Sequence, residues 1–322
     1  MNAGAHTSMR QGNEFDAIRN LLDIWGDIAA GIGDDAALLP APGVQLVIST
    51  DACIEDVHFR RGWIGARATG ARACQAALSD LAAMGAKANS ILVSFVIPDA
   101  WRDQLADVAH GIGDAARGAG ALIIGGNLSS GAQFGITTTV VGHCAQPVTR
   151  SGARPGDVLL VTGLLGGPSS AIGAMERGTN PEPWAMARFV RPKARLEEGQ
   201  WLAASGVSAM IDISDGLLAD ATHLAVASGV AIIVDPNRVP VGPVDIEVAL
   251  NGGEEYELLA TVPAEKADRL IGEFRERFDT GITAIGEVEA TSGQGAASIR
   301  DVGGRKVNIV VEISPGHDHF SQ

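Results

Sequence analysis

Residues 31–59, GIGDDAALLPAPGVQLVISTDACIEDVHF, concentrate oxygen donors in one short stretch. A Gly-Ile-Gly turn delivers the adjacent carboxylates Asp34 and Asp35. Ser49, Thr50 and Asp51 stand at the end of a short strand expected over 45–49, with His58 just beyond. Hard oxygen ligands gathered near turns and strand ends suit a cation such as Mg²⁺. Further along, Ala73, Ala76, Ala77, Asp80 and Met84 recur at helical spacing within a long Ala-rich helix expected over 65–86, which sets Asp80 on the apolar stripe. A carboxylate there must be paired or metal-bound, because burying it alone is prohibitive; Ser79 stands beside it. In MIDISDGL a strand runs into a helix continuing to Ser228. Alternation puts Asp212 and Ser214 on one strand face and Ile211 and Ile213 on the other. Ser214 or Asp215 also suits a helix N-cap, a role that leaves Asp212 unexplained.

Glycine turns supply a second kind of chemistry. A short buried strand expected over 121–124 ends in GGNLSSG, where successive N–H groups can cradle phosphate oxygens, although a tight turn accounts for the same residues. GLLGGPSS precedes a helix and offers a helix N-terminus for phosphate, yet matches neither phosphate fingerprint. No G-x-x-x-x-G-K-[ST] occurs and no lysine follows a glycine, which excludes a P-loop. The acids of NGGEEYEL read as exposed turn residues. The tail SPGHDHFSQ has metal-ligand spacing and equally fits a solvated end.

The elements that must position these residues alternate. An amphipathic helix is expected over 14–29 and strands over 90–97 and 134–144, with a helix over 100–116 between them. A Pro- and Gly-bearing junction at 150–157 divides the 322 residues into two halves, 1–150 and 151–322. The second half adds strands at 158–162, 231–234, 258–262, 282–288 and 306–312 and helices at 183–190, 193–205 and 264–277, an α/β pattern. A formal charge of −14 disfavours nucleic acid as a partner. It remains compatible with a phosphorylated small molecule, because divalent metals can neutralise both site and substrate. Cys53, Cys74 and Cys144 are odd in number and lack C-x-x-C spacing, as expected of reduced thiols in a cytoplasmic protein. No signal peptide and no membrane-spanning run is read in the chain.

Seven motifs in order, GIGDDAAL, STDACIEDVHF, LSDLAAMGA, the GG-x-L-S turn, TRSGARPGD, IDISDGL and NGGEEYELL, resemble the thiamine-monophosphate kinase family, within the aminoimidazole ribonucleotide synthetase-like superfamily of ATP-using enzymes. The resemblance implies a two-domain α/β (α+β) fold. Residues 1–150 would bind ATP and Mg²⁺ and form an intersubunit β-barrel in a homodimer; 151–322 would form the C-terminal α/β domain. It implies direct in-line transfer of the ATP γ-phosphoryl onto thiamine monophosphate, giving thiamine diphosphate. Asp34, Asp35, Thr50, Asp51, Asp80, Asp212 and Asp215 would hold Mg²⁺ with Ser49 nearby, and Asp51, Asp212 and Asp215 would be catalytic. Gly126, Asn127, Arg150 and Ser214 would contact ATP; His58, Glu254 and His317 would contact the thiamine substrate. An acceptor phosphate is already anionic at neutral pH, so this chemistry needs aligned cations rather than a general base. Two positions depart from the family pattern: Asn127 stands where a metal-binding Asp is usual, and His317 where an aromatic residue is. Alternatives are a related superfamily enzyme acting on another phosphate or carboxylate, and a non-catalytic nucleotide-binding homodimer. Sister enzymes that use a reactive terminal Cys are disfavoured, since the cysteines lie between 53 and 144.

Overall fold

The computed structural model describes residues 19, 34–41, 43–293, 295–300 and 306–307. Nearly all of the helix expected over 14–29, the turn at 31–33 and His317 lie outside the described residues.

Within residues 34–144, one sheet and its two covering α-helices comprise β1 (Ala37–Ala41), β2 (Val44–Ile54), α1 (Ala66–Ala83), β3 (Lys87–Ile97), α2 (Leu105–Gly118), β4 (Leu122–Ser130) and β5 (Gly135–Cys144). The sheet order is β1-β2-β5-β3-β4, antiparallel except for the β3–β4 pair. Helices α1 and α2 cover one face, and their crossing is close: a Cβ at Gly111 would stand 1.8 Å from the Arg67 carbonyl oxygen, so glycine is required there. The core between sheet and helices is closed by Phe59, Phe134 and Trp101, the last two stacked at 4.3 Å.

The second half forms β6 (Asp157–Thr162), α3 (Gly167–Glu176), α4 (Pro183–Val190), α5 (Leu196–Ser205), β7 (Ala209–Asp212), α6 (Leu217–Ser228), β8 (Ala231–Val234), α7 (Ile246–Asn251), β9 (Leu258–Pro263), α8 (Ala264–Arg277), β10 (Ile282–Glu289), β11 (Ala296–Arg300) and β12 (Lys306–Val307). Its seven strands run β12-β11-β8-β10-β6-β9-β7. The two halves share a core: Ala82 and Ala83 at the end of α1 pack with Leu160, Leu202, Met210 and Leu258. No helix among the described residues is long and apolar enough to cross a membrane.

Three expectations need correction. Strand β2 continues to Ile54, so Thr50 and Asp51 lie inside it rather than at its end. The glycines at 125 and 126 lie within β4, not in a turn after it, and β4 is exposed along its length rather than buried. The acids after Asn251 are not solvated: Glu255 and Glu257 are buried, and only Glu254 keeps partial exposure. Strands β1 and β11 escaped the sequence reading. β1 contains Pro40, which interrupts a central strand but is tolerated at an edge, where β1 sits.

Candidate functional site

Three segments far apart in sequence meet where α1 passes β7. Asp35 precedes β1, Asp80 lies in the last turn of α1, and Asp212 ends β7; one carboxylate oxygen from each lies within 4.8 Å of the others. Helical spacing aims Asp80 into this gap, as the apolar stripe predicted. Its carboxylate accepts a short hydrogen bond from the Ser49 hydroxyl. Ser49 and Asp51 share one face of β2 by alternation, and the Asp51 charge acts on Asp80. Ser79 Oγ donates to Asp212 Oδ2 at 2.6 Å. Arg150 supplies the nearby cation: Nε and Nη2 each donate to Asp35 at 3.0 Å, and its backbone N–H donates to Asp34 Oδ1 at 2.8 Å.

The electrostatics of this cluster are unbalanced. Burial, followed by the charges of Asp212, Asp35 and Asp51, pushes the Asp80 carboxyl well above the usual carboxylate range, against the pull of the Ser49 hydroxyl. Burial, and then Asp35, raise Asp212 to about 8, although Ser79 and Arg150 oppose the rise. One guanidinium cannot compensate this many acids, and the donors are hard oxygens. That donor set fits a divalent cation such as Mg²⁺.

A second cluster lies close enough for the charge of Asp212 to act on it. Asp215, Asp220 and His223 bring ligand atoms within 4.8 Å of one another, with His223 Nε2 3.9 Å from Asp215 Oδ2. The N-cap role that Ser214 or Asp215 would also suit is taken by neither. Gly216 occupies the cap position, and Asp220, inside the helix, takes the backbone N–H groups of Ser214, Asp215 and Gly216 on one oxygen at 3.1 Å each. Burial first, then Asp215 and Asp212, raise its carboxyl well above the usual range. Sequence reasoning missed Asp220; the available signal was an acid in the first turn of a helix that begins at a glycine.

The loop before β9 closes the other side. Glu254 N–H donates to the Ser214 carbonyl at 2.7 Å and Tyr256 N–H to that of Ile213 at 2.9 Å. The contact is so close that a Cβ at Gly253 would stand 2.3 Å from the Ser214 oxygen. Behind it, Glu257 accepts from Thr162, Arg188 and Arg195. Burial would raise its carboxyl, but Arg195 and Arg188 prevail and hold it below the usual range. His58 occupies a turn after β2, where its Nδ1 accepts the Ile54 N–H at 3.0 Å, an arrangement that leaves Nε2 as the donor of a neutral ring.

Two expected ligands are not brought to the carboxylates. Thr50 lies on the opposite face of β2 from Asp51, where its hydroxyl meets Thr139 Oγ1 at 3.0 Å. Asn127 follows through the register Ala52–Thr137–Ser94–Asn127. It shares that far face and stands three strands from β2, roughly 14 Å at the usual strand spacing. The physical reason is the course of β4: its glycine pair continues the strand instead of turning back toward the helices.

Residues 33–144 match the family model of the AIR synthase related protein N-terminal domain, and residues 154–297 that of the C-terminal domain. A thiamine-monophosphate kinase of Methanopyrus kandleri is 35% identical over 283 residues, 83% of this chain and 85% of that protein. The Bacillus subtilis protein of that name is 30% identical over 96% of this chain and 99% of its own. Among solved structures, AaThiL complexed with AMPPCP and TMP superposes with a TM-score of 0.80 at 30% identity, covering 94% of this chain and 97% of that one.

Proposed function

Because the chain belongs to the thiamine-monophosphate kinase family, we propose that it transfers the γ-phosphoryl of ATP in line onto thiamine monophosphate, with Mg²⁺, to give thiamine diphosphate. The observation that carries this reading is the convergence of Asp35, Asp80 and Asp212 from three separate segments. Bound there, Mg²⁺ would neutralise the phosphates of donor and acceptor so that two polyanions can approach. Asp35, Asp80 and Asp212 would hold it, with Asp51 and Asp34 completing the acidic wall and Asp215 serving from the turn before α6. Asp51, Asp212 and Asp215 would thus be the catalytic acids. Ser49 and Ser79 orient two of the carboxylates. Arg150 holds Asp35 in place and, together with Ser214, would contact ATP. His58 and Glu254 are assigned to the thiamine moiety, as is His317.

We assign residues 1–150 to the ATP- and Mg²⁺-binding, dimerising domain and 151–322 to the C-terminal domain. Support for a homodimer comes from β4, an edge strand that exposes Leu122, Ile123, Ile124 and Leu128, from 50% to 71% each. Such a strand invites pairing, and a second copy completing a barrel would cover it. Gly126 and Asn127, and the far-face Thr50, would then serve ATP or its metal at that interface rather than the cluster within the chain. The test is ATP consumption with thiamine monophosphate set beside ATP alone, with thiamine diphosphate as the product sought. Strict dependence on the acceptor supports the assignment; turnover only with another acceptor, or none, overturns it.

A further inference from the structure

Arg72, on α1, is 1% exposed and reaches from the first half of the molecule into the second. Its Nη2 forms an ion pair with Glu254 Oε2 at 2.6 Å. Its Nη1 donates to the Phe189 carbonyl at the end of α4 at 2.6 Å, and its guanidinium carbon lies 4.2 Å from the centre of the Phe189 ring. Tyr256 and Cys53 complete its surroundings. Burial alone would lower its basicity, but Glu254 prevails and the guanidinium stays charged.

A buried ion pair contributes little net stability, since desolvating both groups consumes most of the attraction. What this one does supply is position. Glu254 sits at φ 63°, a left-handed backbone rarely adopted by a side-chain-bearing residue, and its N–H is fixed to Ser214. One carboxylate oxygen is held from α1 while the side chain remains 20% exposed. Seven residues further along the same helix, Ser79 fixes Asp212, and between them Gln75 Oε1 accepts the Ala194 N–H at 2.8 Å. Positions 72, 75 and 79 form one stripe. A single helix face therefore sets both the carboxylate of the metal cluster and the carboxylate of the acceptor side, roughly 10 Å apart along the axis.

We propose that Arg72 is a positioning residue for the acceptor: it locks the turn carrying Glu254 so that this carboxylate meets the thiamine moiety, with its cationic thiazolium and its aminopyrimidine ring, at a fixed distance from the phosphoryl-transfer centre. The acceptor part rests on the kinase reading above; the locking of the turn does not.

The experiment compares wild type with Arg72→Met, Arg72→Lys and Glu254→Gln in the full chain. Each folded variant is assayed for the KM of thiamine monophosphate and of ATP, for kcat, and for hydrogen exchange at residues 252–256. Arg72→Met raises the acceptor KM roughly 10-fold or more, with the ATP KM within about twofold, because truncating one member of a buried charge pair strands the other. Arg72→Lys recovers part of the loss. Adding Glu254→Gln to Arg72→Met costs little further, as expected of residues acting as one unit. Exchange at 252–256 accelerates in Arg72→Met. An unchanged acceptor KM in a folded Arg72→Met protein, or unchanged exchange at the turn, overturns the proposal. Should wild type show no turnover with thiamine monophosphate, the kinase reading falls, and the exchange measurement still decides whether Arg72 locks the turn.

Discussion

Ser79 Oγ donates to Asp212 Oδ2 at 2.6 Å, joining helix α1 of the first half to the last residue of β7 in the second. The hydroxyl stabilises the ionised form of a carboxyl that burial and Asp35 push up to about 8. Ser79→Ala removes that donor and leaves a buried acceptor unsatisfied. Stability should fall by about 1–3 kcal/mol, read from denaturant midpoints. Mg²⁺ affinity should fall roughly 10- to 100-fold, as for other partners that orient a metal ligand, read from the Mg²⁺ dependence of turnover. An unchanged Mg²⁺ requirement would separate Ser79 from the metal site.

Asp80 gives a prediction of opposite sign for stability and activity. In the absence of metal its charge is opposed by burial and by Asp212, Asp35 and Asp51, so the neutral isostere relieves repulsion while keeping an acceptor for Ser49. In EDTA at pH 8.5, Asp80→Asn should melt at or above the wild-type temperature, by a few degrees, about 2–4 °C for each kcal/mol in a protein of this size. With Mg²⁺ the wild type should gain stability by mass action and the variant should not. Turnover should fall roughly 100-fold or more. A variant less stable than wild type in EDTA would show that Asp80 is a structural ion-pair member instead.

The spacing of Asp80 within an apolar stripe revealed that it faces inward, where it is half-buried, and the alternation in MIDISDGL revealed that Asp212 points away from Ile211; both are local periodicities. The convergence of those two with Asp35 is a matter of chain crossing, which no window of sequence reports. The mistaken positions share a cause. The sequence reading ends β2 at Ser49 and puts Asn127 in a glycine turn after a strand over 121–124, yet sheet pairing with β5 and β3 carries both strands onward. Glu255 and Glu257 look like solvated turn acids until Arg188 and Arg195, some sixty residues away in sequence, arrive to meet Glu257.

Glu255 supplies a pH dependence of stability. Its carboxyl is pushed up to about 8 by burial, against the Gly166 N–H and Arg188, while in the unfolded chain it titrates near 4.3. Between those values the folded state holds a proton that the unfolded state lacks, so stability falls as pH rises through the window and levels off above about 8. Glu255→Gln keeps an oxygen for the Gly166 amide and cannot ionise. The loss of melting temperature between pH 5.5 and 8.5 should therefore be smaller in the variant than in wild type, with the other carboxylates common to both. Equal losses would mean that Glu255 is ionised in the folded protein throughout.

The exposed edge of β4 predicts association and links it to Asn127. Leu128 is 66% exposed on a strand whose outer edge has no neighbour among the described strands, so Leu128→Glu should leave the monomer folded and place a charge in the proposed interface. Sedimentation should show a dimer for wild type and a monomer for the variant. Asn127→Asp adds a carboxylate on the same strand, remote from the Asp35, Asp80 and Asp212 cluster of its own chain. If this position meets the metal only through the assembled interface, Asn127→Asp should lower the half-maximal Mg²⁺ concentration in the dimer. The same change made together with Leu128→Glu should leave it where Leu128→Glu alone puts it. A lowered requirement in both backgrounds would place Asn127 beside the metal of its own chain, which the β2-β5-β3-β4 order and its register do not allow.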